Sequence, residues 1–343
     1  MAAEWRKRST ERVGKLLGVL GDKRSLLILM QDNPDPDSLA SAAALRRLVN
    51  AKTYAQCSLA HGGVIGRGEN RALADYLGLN FRSAAEVDFA AFDSIALVDT
   101  QPGTGNNSLP ADRIPDIVLD HHPLRPDSRK VAFTDIRSKY GALSTILFEY
   151  LKALDITPGP PLATALLYAI RTDTQDLGKA AVRADLAAAE ELFALSNPRM
   201  LSAIQRGSVS SAYFKTMARA LGAARVFDRC VIADLGEVDN PDYTGEFADL
   251  FLRHEDVDWV LCHCLHDGKI WASLRTVIQK EHAGRMLKSV VRGIGTGGGH
   301  DWSAGAQIPV DRGSGGARKL AKTLRERLLS KLKIQGRSGR KFA

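Results

Sequence analysis

The chain has 343 residues, of which 45% are hydrophobic, 25% are charged and 6% are aromatic. This length predicts about two domains, and the apolar content is enough for a sizeable core, so the composition excludes a disordered or fibrous protein. No apolar run approaches the roughly 20 residues of a membrane-spanning helix, and no signal peptide is evident at the N-terminus. The four cysteines do not make a disulfide framework in a chain of this length. We therefore expect a cytoplasmic protein without a membrane partner.

The net charge of +8 is unevenly distributed along the chain. Residues 312–343 contain 11 of the 47 basic residues and one of the 39 acidic residues, so the remainder holds 36 basic and 38 acidic residues. A basic chain suggests a polyanionic partner such as nucleic acid. Here the basic excess belongs to the C-terminal end, where a helix predicted over 317–332 has a charged face typical of a solvated surface. A weak anion-gathering extension is the alternative.

The first half of the chain alternates short apolar runs with helical patterns, which predicts βαβ units and a largely parallel sheet. The predicted strands cover 25–30, 92–98 and 116–119. The predicted helices cover 38–49, 145–154, 162–171 and 184–195. We assign residues 1–200 to this first domain.

The pattern changes near residue 196, after which a helical connector is predicted over 201–220 and a smaller second domain over 221–343. Strands are predicted over 225–235, 257–265 and 270–276, with a hairpin turn at 266–269. Cys262, His263 and Cys264 are residue types that bind zinc, but they alternate within an apolar pattern and no second pair follows at zinc-finger spacing. A buried strand is therefore predicted there.

Acidic and imidazole side chains fall directly after three of the predicted strands. Asp35 and Asp37 follow the first strand, Asp99 follows the second, and the segment 120–122 (Asp-His-His) follows the third. Asp173, at the end of an apolar helix, is a fourth candidate. Because the carboxyl ends of parallel strands meet at one edge of a sheet, these residues can converge.

A convergence of this kind predicts a metal centre. Clustered carboxylates repel one another unless a cation neutralises them, and mixed Asp/His sets suit Mn²⁺, Zn²⁺ or Fe²⁺, with Mn²⁺ favoured when oxygen ligands predominate. Each piece alone is more typical of a turn or a helix cap, and Asp37 is well placed to cap the helix that begins at Ser38. The four pieces together favour the metal site.

These motifs resemble the DHH phosphoesterase superfamily. Asp120-His121-His122 and the Asn-Pro-Asp-Pro-Asp segment 33–37 carry the resemblance, and Leu97-Val98-Asp99 and Ile170–Asp173 follow in the family order. The segment 297–300 (Gly-Gly-Gly-His) is similar to the signature of the DHH-associated substrate-binding domain. The resemblance is greatest to the nanoRNase and 3′-phosphoadenosine-phosphate phosphatase branch.

The resemblance implies a two-ion Mn²⁺ centre in which Asp99 bridges both ions. Asp37, Asp99, His121 and Asp173 would hold the first ion, and Asp35 and Asp99 the second. His122 would act beside the metals, on the scissile phosphate or as the partner that orients His121. One position departs from the family: Gln31 stands where the family has a metal-ligating His. A neutral amide is a poorer ligand, so the second ion would be weakly bound or missing.

The resemblance also implies where substrate binds. Arg275 would pair with the substrate phosphate, and Gly297, Gly298, Gly299 and His300 would cradle it. The expected fold class is α/β: an N-terminal parallel-sheet metal domain and a smaller C-terminal α/β substrate domain, with a cleft between them.

The expected function is hydrolysis of short oligonucleotides, linear dinucleotides or 3′-phosphoadenosine phosphate by metal-activated water, with His122 and Asp99 as catalytic residues. Two alternatives are a polyphosphatase or pyrophosphatase of the same superfamily, and a degenerate nucleotide-binding regulatory protein, which Gln31 suggests. The expected partners are a small nucleotide or short oligonucleotide substrate and a second copy of the chain in a homodimer.

The segment 62–71 is rich in glycine and contains Arg67 and Arg71. Two interpretations of it are equally good. The segment could contact phosphate or the partner domain, or it could be only a loop that leads into the helix near residue 72.

Overall fold

The computed structural model describes residues 2–178, 181–278, 281–299, 301–310, 316–335 and 339–342. It divides the chain into two compact units, Met1–Ser208 and Val209–Ala343, here called the N-terminal and C-terminal units. The segment predicted as a connector, 201–220, contains the end of one helix in the first unit and the start of another in the second.

The N-terminal unit is built on a six-stranded sheet in which every neighbouring pair is parallel. Its strands are β1 (Ser25–Met30), β2 (Gln56–His61), β3 (Phe81–Ser83), β4 (Ser94–Val98), β5 (Ile117–Asp120) and β6 (Phe133–Ile136). The order across the sheet is β3-β2-β1-β4-β5-β6. The strand predictions at 25–30, 92–98 and 116–119 are confirmed to within two residues.

Seven α-helices are described in this unit. They are α1 (Ala2–Leu20), α2 (Pro36–Lys52), α3 (Gly68–Tyr76), α4 (Leu143–Ala153), α5 (Pro160–Asp173), α6 (Arg183–Leu195) and α7 (Pro198–Gln205). α2 is rich in alanine, which lets α4 and α5 pack closely against it. The four predicted helices of this unit are confirmed, each with slightly different bounds.

Both faces of the sheet are covered, as the continuous apolar sequence of β1 requires. Leu26, Ile28 and Met30 belong to a large core shared with the helices, whereas Leu27 and Leu29 belong to a smaller core on the opposite face. All five side chains are fully buried. The central strands are therefore rigid supports for the loops that follow them.

The C-terminal unit has a seven-stranded mixed sheet in the order β11-β12-β10-β9-β8-β7-β13. Its strands are β7 (Arg225–Phe227), β8 (Cys230–Glu237), β9 (Trp259–His266), β10 (Lys269–Thr276), β11 (Thr296–Gly299), β12 (Ser303–Pro309) and β13 (Arg340–Lys341). Its described helices are α8 (Ser211–Ala223), α9 (Tyr243–Phe251), α10 (Ala283–Val290) and α11 (Gly316–Lys331). The α/β fold class, with a parallel-sheet first part and a smaller second part, is confirmed.

Two turns in this sheet show where sequence patterns succeed and fail. The predicted hairpin turn is confirmed: Asp267 and Gly268 have φ of 46° and 70°, the left-handed backbone of a tight two-residue turn. The prediction of one strand over 225–235 is wrong, because Asp228 has a φ of 53° and the chain reverses there into two antiparallel strands. Aspartate adopts that conformation more readily than most residues, so Asp228 within the alternating pattern is the sequence feature that indicates the turn.

β9 is a buried strand, as predicted for Cys262, His263 and Cys264. All three side chains are buried, and the four cysteines of the chain are unpaired. The basic helix predicted at 317–332 is α11, which packs Leu324 and Leu328 against the sheet. Within the described part of the chain, every helix is too short or too polar to cross a membrane.

Candidate metal centre

The candidate site lies where the strand order of the parallel sheet reverses. β1 and β4 are neighbours, yet the chain runs outward from β1 to β3 before it returns to β4. At such a switch point the loops after the two strands diverge and leave a crevice at the carboxyl edge of the sheet. Asp35 follows β1 and Asp99 follows β4, so both lie at this crevice.

Asp99 makes a sharp turn directly after β4. Its φ is 59°, in the left-handed region that few residues other than glycine adopt, while its backbone N–H still donates to Leu119 O at 2.9 Å. The residue therefore stays anchored to β5. Its side chain is 1% exposed.

Three carboxylates converge on one nitrogen of His121. Nε2 of this ring lies 3.8 Å from Asp37 Oδ2, 3.6 Å from Asp99 Oδ1 and 3.4 Å from Asp173 Oδ2. The other nitrogen, Nδ1, lies 3.3 Å from the carbonyl oxygen of Tyr140. A proton on Nδ1 that is donated to this carbonyl leaves the Nε2 lone pair directed at the carboxylates, the geometry of a metal-ligating histidine.

Asp37 is held in place by the N-terminus of α4. Its Oδ2 accepts a hydrogen bond from the backbone N–H of Leu143 at 2.6 Å, and its Oδ1 accepts one from Ser144 N–H at 2.8 Å. Helix N-terminal N–H groups stabilise an anion. Asp37 therefore does not cap its own helix. That cap is Asp35, whose Oδ1 accepts from Ser38 N–H at 2.9 Å.

The two carboxylate oxygens of Asp99 have different surroundings. Oδ2 accepts hydrogen bonds from Ser38 Oγ at 2.6 Å and from Gln31 Nε2 at 3.2 Å. Oδ1 is buried without a hydrogen-bond partner, 3.6 Å from both His121 Nε2 and His122 Nδ1. A buried, partnerless carboxylate oxygen is costly, so Oδ1 is the atom in this site that most needs a cation.

Asp120 organises the segment that carries both histidines. Its Oδ1 accepts from the backbone N–H groups of His121 and His122 at 2.7 and 3.1 Å, and it lies 2.7 Å from His122 Nδ1. Its Oδ2 accepts from Gln101 Nε2 at 2.6 Å. Asp120 is thus fully engaged and orients His122.

Comparison with known proteins identifies the fold. No protein-family model matches the chain. The uncharacterized protein MJ1633 of Methanocaldococcus jannaschii is 33% identical over 291 residues, which covers 84% of this chain. The chain spans 59% of that relative's length.

Two solved structures are similar over nearly the whole chain. An exopolyphosphatase-related protein from Bacteroides fragilis has a TM-score of 0.68 at 14% identity and covers 93% of this chain and 96% of its own. RecJ from Thermus thermophilus, in complex with Mn²⁺, has a TM-score of 0.54 at 13% identity and covers 98% of this chain and 55% of its own. This chain has the fold of these two proteins. The fold that the motif resemblance implies is therefore confirmed, whereas the nanoRNase branch stays a prediction.

The donor set of this site suits a divalent cation. Two groups of three side chains place their ligand atoms within 4.8 Å of one another: Asp99, His121 and His122, and Asp37, His121 and Asp173. Three carboxylates with imidazole nitrogen favour a cation such as Mn²⁺. The partnerless Asp99 Oδ1 supplies the independent sign that the residues fit one.

Charge repulsion between the carboxylates also favours a bound cation. Burial, together with the charges of Asp35 and Asp37, raises the pKa of Asp99 well above its usual range. Burial and the charge of Asp37 raise the pKa of Asp173 to about 7. Burial alone would lower the pKa of His121, but the contact with Asp173 and the nearby carboxylates outweigh it and raise that pKa. Without a cation, the centre therefore takes up protons, which a metal ion would displace.

The structure brings together five of the predicted site residues on the N-terminal unit and places a sixth beside them. Asp37, Asp99, His121, His122 and Asp173 form the cluster, and Gln31 contacts Asp99. Asp35 belongs to neither three-residue group, although its charge contributes to the raised pKa values of Asp99 and Asp37. Its position is therefore at the margin of the cluster.

The predicted substrate residues lie in the C-terminal unit. Arg275 is in β10 and pairs with Ser303 of β12, whose next residue, Ala304, pairs with Gly299 of β11. Arg275 and Gly299 therefore share one end of the sheet. Arg275 Nε donates to Asp249 Oδ1 at 2.6 Å. His300 lies outside the described residues.

The glycines of β11 meet different surroundings. A Cβ atom on Gly284, at the start of α10, would lie 2.3 Å from Gly299 O, so the helix can approach this strand only with glycine at 284. A Cβ on Gly298 would meet no described atom within 4 Å. Packing against the described atoms thus gives no reason for glycine at 298.

The glycine-rich segment 62–71 supports the loop after β1. A Cβ on Gly63 would lie 2.5 Å from Asp32 O, and Val64 N–H donates to Asn33 Oδ1 at 3.0 Å. Arg71 donates to the carbonyl oxygens of Gly66 and Ser208. These contacts are those of a supporting loop.

Sequence reasoning missed the residues that hold the ligands in place. Ser38, Gln101 and the backbone N–H groups of Leu143 and Ser144 all donate to site carboxylates. No motif marks them. Only the position of Asp120 ahead of the two histidines gave a signal that it orients them.

Proposed function

We propose that this chain is a metal-dependent phosphoesterase of the DHH family. The observation that carries the proposal is the convergence of Asp37, Asp99 and Asp173 on Nε2 of His121, at 3.4–3.8 Å. These carboxylates come from three separate segments of the N-terminal unit. A site so built for a cation, in a fold shared with RecJ and an exopolyphosphatase-related protein, supports hydrolysis of a phosphate ester.

The proposed cofactor is Mn²⁺, held by Asp37, Asp99, His121 and Asp173. When bound, such an ion lowers the pKa of a coordinated water and polarises a phosphoryl oxygen. The oxygen-rich donor set favours Mn²⁺ among the transition metals. The similar RecJ structure contains Mn²⁺, which agrees with this choice.

His122 is proposed to move a proton during the reaction. Its Nδ1 lies 2.7 Å from Asp120 Oδ1, which fixes the proton on Nδ1 and orients the ring. His122 is also 3.6 Å from the partnerless oxygen of Asp99, so it lies beside the proposed ion. A histidine in this position can exchange a proton with the substrate or with water.

The proposed substrates are short oligonucleotides, linear dinucleotides or 3′-phosphoadenosine phosphate. Arg275 would pair with a substrate phosphate and the backbone of residues 297–299 would approach it, as the sequence resemblance implies. Similarity to an exopolyphosphatase-related protein favours the second candidate, a polyphosphatase or pyrophosphatase.

The test compares three substrates on the full chain with Mn²⁺: the dinucleotide pApA, 3′-phosphoadenosine phosphate and tripolyphosphate. We expect the two nucleotides to be hydrolysed fastest and the Asp99→Asn variant to hydrolyse none. Faster hydrolysis of tripolyphosphate selects the second candidate. Equal nucleotide binding by both proteins without any hydrolysis selects a degenerate nucleotide-binding protein.

A further inference from the structure

We propose that Gln31 and Ser38 withhold one oxygen of Asp99 from metal coordination, so that the centre holds a single divalent cation rather than two. The inference rests on the proposed function, since it concerns the ion of that site. In addition, two residues that are not ligands, Gln31 and Ser38, would determine how many ions bind.

The first step is the inequivalence of the two oxygens of Asp99. A carboxylate that bridges two ions uses one oxygen for each. In this chain Oδ1 has no hydrogen-bond partner and faces His121 and His122, so it is open to an ion. Oδ2 already accepts two hydrogen bonds, at 2.6 and 3.2 Å, so its lone pairs are not available to an ion as those of Oδ1 are.

The second step is the direction of those hydrogen bonds. The hydroxyl of Ser38 has one proton, which it donates to Asp99 Oδ2, so its lone pairs accept from Gln31 Nε2 at 3.0 Å. The amide of Gln31 therefore directs its N–H groups at Ser38 Oγ and Asp99 Oδ2. Reversing the amide would place its carbonyl oxygen against a carboxylate. An N–H group carries partial positive charge and offers no lone pair, so it repels a cation at Oδ2.

The third step is the count of ligand atoms. Both three-residue groups contain His121, and within the described part of the chain no third group leaves it out. Its Nδ1 faces the carbonyl of Tyr140, so only Nε2 is directed at the carboxylates. One nitrogen lone pair binds one ion. The two groups therefore belong to one metal site.

Asp35, the other carboxylate predicted to hold the second ion, is already engaged through one oxygen. Its Oδ1 accepts from the backbone N–H of Ser38 and caps α2. Ser38 thus engages Asp35 through its backbone and Asp99 through its hydroxyl. The same buried residue therefore engages one oxygen of each of the two carboxylates that a second ion would need.

The test counts Mn²⁺ ions per chain by elemental analysis after gel filtration and by titration calorimetry. Wild type is expected to bind one ion, with the electron paramagnetic resonance spectrum of an isolated Mn²⁺. Gln31→His and the isosteric Gln31→Glu, each combined with Ser38→Ala so that both donors to Asp99 Oδ2 are removed, replace the donor amide by a ligand. Both variants are expected to bind two ions, with a spectrum broadened by coupling. The matched control is Gln56→His, at the exposed start of β2, which should bind one.

Each outcome decides the matter. Two ions in wild type, or one ion in both Gln31 variants, would overturn the inference. If either variant does not fold, the other still decides. No ion in wild type would overturn the proposed function itself, and so is distinct from failure of the single-ion inference.

Discussion

His122 Nδ1 lies 2.7 Å from Asp120 Oδ1, and that same oxygen accepts the backbone N–H groups of His121 and His122. One carboxylate oxygen therefore sets both the path of the chain and the orientation of the ring. Burial alone would raise the pKa of Asp120, but the hydrogen bond and charge of His122 outweigh it and lower that pKa. Asp120 therefore stays ionised and keeps the Nδ1 proton on His122.

Asp120→Asn tests whether this orientation matters for the proposed chemistry. The amide nitrogen would face either His122 Nδ1 or Gln101, so the ring would lose its acceptor or the loop its anchor. We expect kcat to fall by roughly 10²–10⁴, the usual contribution of a positioned proton-transfer group. Affinity for Mn²⁺ should fall less than kcat, by up to about 10–100-fold, because Asp120 is in neither ligand group but holds the backbone of His121. Steady-state kinetics at saturating Mn²⁺ and calorimetric titration measure the two effects.

The matched control is Asp116→Asn. Asp116 immediately precedes β5, whereas Asp120 ends it, and its Oδ2 accepts a hydrogen bond from the N–H of Ile95 in β4 at 2.9 Å. This variant should keep the kcat of wild type. A normal kcat in Asp120→Asn would show that the orientation of His122 is not used.

Asp99→Asn should separate metal binding from folding. The amide oxygen can keep the hydrogen bonds from Ser38 and Gln31, and the variant removes a carboxyl group whose ionised form is buried with one oxygen unpartnered. We expect the metal-free protein to be as stable as wild type or more so, because an unpaired buried charge is destabilising. The rise in Tm that Mn²⁺ gives wild type should disappear. A thermal scan with and without Mn²⁺ measures both, and a variant that unfolds at lower temperature without metal would contradict the assignment.

Sequence patterns predicted the residues of this centre that directly follow strands. Apolar runs locate β1, β4 and β5, and parallel topology places the residues after them at one edge. This is why Asp35, Asp99 and the histidines could be named as one cluster.

The contacts that support the ligands could not be predicted in the same way. Asp37 accepts from Leu143 and Ser144, more than a hundred residues away, because α2 packs against α4. The direction of the Gln31 amide depends on the position of the Ser38 hydroxyl. Neither contact follows from a periodic pattern or a fixed spacing in the sequence, so only the packed structure shows it.

The metal-free protein should lose stability as pH rises. The folded-state pKa of Asp173 is about 7 and that of Asp99 is also raised, whereas an unfolded Asp titrates near 3.9. Between about pH 4 and 7 the folded state therefore binds more protons than the unfolded state, and this site contributes less stability at each higher pH. The raised pKa of His121 acts in the same direction, since its proton is also lost as pH rises.

Mn²⁺ should consequently stabilise the protein more at pH 7.5 than at pH 5.5, because it replaces protons that are bound at the lower pH. The measurement is the difference in Tm with and without Mn²⁺ at each pH, at constant ionic strength. Equal differences at the two pH values would contradict this account. Asp99→Asn is the control that should show no difference at either pH.

Asp249→Asn tests whether Arg275 binds a substrate phosphate. Arg275 Nε donates to Asp249 Oδ1 at 2.6 Å, so part of the guanidinium charge is neutralised before any substrate binds. Removing that carboxylate should lower KM by up to about fivefold, because a partly exposed ion pair contributes up to about 1 kcal/mol. The control is Asp258→Asn, which releases Arg229 from a 2.6 Å pair in the same unit and should leave KM unchanged. If KM for a dinucleotide moves equally in both variants, Arg275 has no particular role, whereas a fall only in Asp249→Asn places the substrate phosphate at Arg275.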